Sequence, residues 1–106
     1  MATAKTPLER FKQSIAQDNL WIYVLALAAR EEICDQDVPR LVFEKFGFLP
    51  AKLSVTLVLT HLKKGEYVRT DKREGKKSYI ATDKGKNELE DLKNFLAETK
   101  EKIEKI

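Results

Sequence analysis

Residues 50–80 set the limits on what this chain can fold into. Val55, Val58, Leu59 and Leu62 stand at helical spacing, the pattern of one buried face of an α-helix. The outward arc of the same helix, residues 50–64, holds Lys52, Ser54, Thr56, Leu57, Thr60, His61 and Lys64. Small hydroxyls, one apolar side chain and lysines suit a surface that enters a groove. Residues 67–70 and 78–82 have the aromatic and β-branched content of strands. Between them, residues 71–77 predict a Gly-centred turn carrying Lys72, Arg73, Lys76 and Lys77. The stretch therefore reads as helix, strand, basic turn, strand.

Charge follows the same division. The whole chain is only +3, which decides little. Residues 1–49 sum to −1, residues 50–86 to +6 and residues 87–106 to −2. The positive charge is concentrated on the helix and hairpin, and a local basic surface attracts polyanions even on a nearly neutral chain.

The flanking segments supply a core. Thr6, Pro7 and Glu9 form a Thr-x-x-Glu helix start, followed by an apolar stripe of Leu8, Phe11 and Ile15. Asp18 reads as the N-cap of a second helix over about 19–32. That helix is apolar on most sides (Leu20, Trp21, Tyr23, Val24, Leu25, Leu27, Ala28), as expected of one buried on more than one face. Ile33-Cys34 predicts a short strand, with Cys34 as a small buried hydrophobe. Asp35 or Asp37 caps a third helix, with Pro39 in its first turn, a buried stripe of Val38, Leu41, Val42 and Phe46, and Gly47 at its end. Phe48 and Leu49 are expected to reach into the core from the turn that follows. Thr82-Asp83 opens the last helix. There Leu89, Leu92, Leu96, Thr99, Ile103 and Ile106 are spaced alternately by 3 and 4, an a/d seam suited to pairing with a second subunit.

The fold class that results is mainly α with a small β-hairpin (α+β): a winged helix-turn-helix with a long C-terminal dimerisation helix. It divides into an N-terminal helix at 1–17, the winged helix-turn-helix at 18–82 and a coiled-coil helix at 83–106. Ser54-Val55-Thr56, Leu62 and then 63–68 resemble the recognition helix and first wing strand of MarR-like and PadR-like winged-helix regulators. Residues 78–85 resemble their second wing strand and the start of their final helix. The chain is most similar to small archaeal winged-helix proteins, the Lrs-fourteen-like group. The resemblance implies duplex-DNA binding by a homodimer, as a transcription regulator or a chromatin-associated protein in the cytoplasm. Two departures stand out. Gly65 is separated from Tyr67-Val68 by Glu66, and Leu57 occupies a place where such families often carry Arg or Gln.

The candidate DNA-binding residues are Lys52, Ser54, Thr56, Leu57, Thr60, His61, Lys63, Lys64, Arg69, Lys72, Arg73, Lys76 and Lys77. Bases in the major groove are read by bidentate Arg, Asn or Gln pairs, and the outward arc has none. The cations address phosphates, with Arg73 at the wing tip placed for a narrow minor groove. Affinity is then expected to come mainly from phosphate contacts and to depend on salt. In a symmetric dimer the two recognition helices should lie about 34 Å apart to share one face of B-DNA. Exposed Leu53 and Leu57 keep a protein-interaction module open as the alternative. The candidate dimer residues are Leu89, Leu92, Leu96, Thr99, Ile103 and Ile106.

Other classes find no support in the sequence. One Cys and one His cannot build an internal disulfide or a Cys/His zinc site. An interchain disulfide through Cys34 stays open. The sequence shows no Ser/His/Asp set, Gly-rich phosphate loop or metal cluster, so no enzyme and no cofactor are expected. The polar start lacks the features of a signal peptide, and the apolar run 20–29 is about half a membrane span.

Overall fold

Thr6 starts the first helix as its chemistry requires. Its hydroxyl accepts from the Glu9 amide while the Glu9 carboxylate accepts from the Thr6 amide, completing a capping box. The computed structural model describes residues 5–106, without the side chain of Arg73. Residues 1–4, the polar start included in the segment 1–17, lie outside that description. Along the chain come α1 (Pro7–Gln17), α2 (Leu20–Arg30), β1 (Ile33–Cys34), a 3-10 turn at Asp35–Asp37, α3 (Val38–Phe46), α4 (Lys52–Lys64), β2 (Val68–Arg73), β3 (Lys76–Ala81) and α5 (Asp83–Glu104).

The strands form one antiparallel sheet in the order β1-β3-β2. Ile33 pairs with Tyr79, and Val68 pairs with Ala81. These residues close one side of a core made by Leu20, Val24, Leu25 and Ala28 of α2, Val38 and Val42 of α3, and Val55, Leu59 and Leu62 of α4. Full burial of such side chains contributes roughly 1.5–3 kcal/mol each. The α2 helix is the hub, contacting α3, α4, α5 and the sheet. The short strand expected at Ile33–Cys34 is present, and Cys34 is a half-buried free thiol.

Several expectations are corrected. Asp18 does not cap α2; it ends α1, its amide donating to Ser14 O. Asn19 holds the N-cap position instead, and its Nδ2 turns back to Ser14 O at 3.3 Å. The apolar stripe of α1 lies largely outside the core: Leu8 and Phe11 are exposed and Ile15 is half-buried. Leu49 also faces solvent, because Gly47 at φ 83° turns the chain so that Phe48 alone folds back onto Tyr23. Phe46 is partly exposed and meets Tyr23 edge-on at 4.8 Å. Leu89 is buried in the core of its own subunit, so it is not part of the exposed seam of α5.

The joint between α4 and β2 resolves the departure at Gly65. Gly65 has ordinary helical φ, and Glu66 takes the left-handed position at φ 65°. The Tyr67 amide bonds Leu62 O at 2.9 Å and the Glu66 amide bonds Lys63 O at 3.0 Å, which is a Schellman ending. Glycine at 65 leaves room for the Tyr67 ring: a Cβ there would lie 2.6 Å from Tyr67 Cε2, so the ring would have to move. Gly85 has the same kind of reason, since its Cβ would lie 2.1 Å from Tyr67 O. Thr82 caps α5 through the Gly85 amide and also donates to Glu66 O at 2.6 Å. Helix, wing and final helix are thus locked at one point.

Candidate nucleic-acid interface

The hairpin is longer than its composition predicts. Glu74 and Gly75 both have positive φ, 53° and 76°, as a two-residue hairpin turn of mirror-image type requires. The turn is therefore two residues rather than 71–77. The basic run lies on the strands, because pairing continues to the rung Arg73↔Lys76.

Register now assigns the cations. Lys72 stands opposite Lys77, and Arg73 opposite Lys76, on two adjacent rungs. Like charges directly opposite one another destabilise a sheet. Alternation puts Lys72 and Lys77 on the face shared by Thr70, Tyr79, Val68 and Ala81. Lys76 belongs to the opposite face, with Asp71, Ser78, Arg69 and Ile80. The side chain of Arg73, the minor-groove candidate, lies outside the described residues. Arg69 lines a cleft of about 290 Å³ with Glu32, Thr70, Asp71, Ser78 and Ile80. Ser78, buried, donates to Glu32 and is within 3.2 Å of Asp71 O. This ties the end of α2 to the wing, so Arg69 sits over an acidic floor and contributes less positive field than its position in the sequence implies. On the other face, burial and then the charge of Asp35 raise the Tyr79 phenol above its ordinary pKa, so it stays neutral within the core.

On α4, Lys52, Ser54, Thr56, Leu57, Thr60, His61, Lys63 and Lys64 are all exposed. Lys52 and Thr56 border a cleft shared with Asp35, Gln36, Pro39 and Val55. At 3.6 residues per turn, Leu53, Leu57 and Lys64 lie opposite the Val55, Leu59 and Leu62 stripe. Leu53 was missed as a site residue from sequence, although it stands one turn before Leu57 on the same outward face. The basic Lys84, in contrast, is engaged internally. Its Nζ donates to Gly65 O at 2.7 Å and lies 4.6 Å from the Tyr67 ring centroid.

Further apolar side chains are exposed on α1 and on α5. Leu92 is half-buried, and Phe95, Leu96 and Ile103 are exposed, as are Thr99 and Ile106. Phe95, absent from the sequence-derived set, is 62% exposed; its spacing three residues after Leu92 is the signal that marks it. Lysines of α5 pair within the helix, Lys93 with Glu90 and Lys105 with Glu101. Among the described residues no three His, Cys, Asp or Glu side chains gather to hold a metal ion, and no helix is long and apolar enough to cross a membrane.

This order of elements, with a helix-turn-helix and a hairpin wing, decides the architecture. The fold is a winged helix. Among solved structures the chain is similar to the X-ray structure of a PadR-like transcription factor from Bacteroides fragilis, with a TM-score of 0.77 and 20% identity, over 90% of this chain and 96% of that one. No family model and no curated protein matches the sequence. At that identity the structural likeness establishes the winged-helix fold, including its long C-terminal helix.

Proposed function

We propose that the chain is a homodimeric winged-helix DNA-binding protein, a transcription regulator or a chromatin-associated protein of the nucleoid. It holds duplex DNA between α4 and the basic wing. The observation that carries this reading is the pair of cation-on-cation rungs at the wing tip, Lys72↔Lys77 and Arg73↔Lys76. Such rungs cost stability in the free protein, and phosphates on either side of an inserted wing offset that cost. The PadR-like transcription factor of the same fold supports a regulator rather than an enzyme. Dimerisation uses the exposed faces of α1 and α5, where Leu8, Phe11, Phe95, Leu96 and Ile103 would otherwise remain in water.

The test is binding to a random duplex across a salt series, with genomic fragments as competitors. Steep salt dependence with no preferred fragment identifies a backbone-reading chromatin protein. Steep dependence with one preferred fragment identifies a regulator with an operator. Absence of binding at low salt overturns the proposal. It favours the second reading, a protein-interaction module, which the exposed Leu53 and Leu57 support.

A further inference from the structure

Resting on the DNA reading above, we infer that α4 recognises thymine methyl groups, so that the preferred duplex lines the major groove with thymines beneath the first two turns of the helix. Leu53 and Leu57, one turn apart at the outward apex, are 71% and 53% exposed. The two threonine hydroxyls beside them do not present donors. Thr56 Oγ1 donates to Lys52 O at 3.1 Å, and Thr60 Oγ1 donates to Thr56 O at 2.8 Å. Both protons are used within the helix, which leaves methyl groups and acceptor lone pairs facing outward.

The chemistry of the groove selects among bases from there. Guanine presents two acceptors, O6 and N7, and the leucine–threonine face offers them no donor; the donors of α4, Lys52, Ser54 and His61, lie to its sides. Thymine carries the C5-methyl, the apolar group of the unmodified major-groove edge, and its partner adenine presents an N6–H₂ donor. An A·T pair therefore matches both surfaces of α4: methyl against leucine, and amine against a threonine oxygen. Lys63 and Lys64 end the helix, away from the N-terminal turns that reach base edges in helix-turn-helix docking. They and the wing cations belong to the same segment 50–86 of net charge +6, which matches a polyanion with methyl groups on its floor.

The test compares one duplex made with thymine and the same duplex made with uracil, which removes only the C5-methyl. Uracil is expected to weaken binding roughly fourfold for each methyl buried under a leucine. A C·G-rich duplex carrying 5-methylcytosine is expected to bind more tightly than its unmethylated form. Leu53→Ala with Leu57→Ala is expected to bring the thymine-to-uracil ratio close to one while leaving the salt slope unchanged. Equal affinity for the two duplexes, with steep salt dependence, overturns the inference and leaves the DNA reading intact. A ratio that survives the double substitution overturns the assignment to these leucines. No binding to any duplex overturns the DNA reading and the inference together.

Discussion

Helices α4 and α5 both expose apolar side chains, and the charge around them differs. On α4, Leu53 and Leu57 project from the segment 50–86, which carries +6. On α5, Phe95, Leu96 and Ile103 project from the segment 87–106, which carries −2. Lys93, Lys100 and Lys105 are paired with glutamates one turn away in sequence, whereas in the wing beside α4 Lys72 stands opposite Lys77. Apolar exposure alone says only that a surface is covered by something. The surrounding charge is what leads the proposal to assign α4 to nucleic acid and α5 to a second copy of the chain.

The largest expected effect comes from the joint that holds the two surfaces in fixed relation. Gly85→Ala forces a Cβ against Tyr67 O and should destabilise the fold by about 3 kcal/mol, read as a lower denaturant midpoint. Unchanged stability would mean that α5 can shift relative to the wing. Next, Leu96→Glu places a charge in the apolar face of α5. Sedimentation should then show monomers, and duplex affinity should fall by about 100-fold as two linked half-sites become one. A variant that sediments as a dimer would move the interface elsewhere. Arg73→Ala with Lys76→Ala should weaken duplex binding by about tenfold and lower the salt slope by roughly one to two. An identical slope would remove the wing from the DNA contact. The smallest effect is a gain: Glu66→Gly relieves a left-handed non-glycine residue and should stabilise by about 0.5–1 kcal/mol, seen as a rise in Tm without change in either binding event.

Much of this architecture was legible in the sequence, for identifiable reasons. The period of Val55, Leu59 and Leu62 marks the buried face of α4, and Thr6 and Thr82 mark helix starts because their hydroxyls bond amides three residues on. Register was not legible. The composition of 71–77 predicts a loop, yet two consecutive positive φ values at Glu74 and Gly75 let pairing run to the tip. Only that register reveals Lys72 against Lys77. Packing partners were equally hidden. The stripe of α1 has the period of a buried face, but only Ile15 is half-buried, while Leu8 and Phe11 are exposed. Leu89 shares its spacing with Leu96, yet the first lies in the core and the second in solvent. The Gly65-Glu66 step reads as a shifted helix end in sequence. In space it is a glycine chosen for the ring of Tyr67 and a glutamate that bears the left-handed turn.

The division of labour between the two surfaces is tested most directly by amide hydrogen exchange on the full chain, with and without a short duplex. The predicted result is new protection over α4 and the β2–β3 wing on adding DNA. Residues 95–104 of α5 should already be protected in the free protein and should not change. New protection on α5 instead, or none on α4 and the wing, would contradict the account.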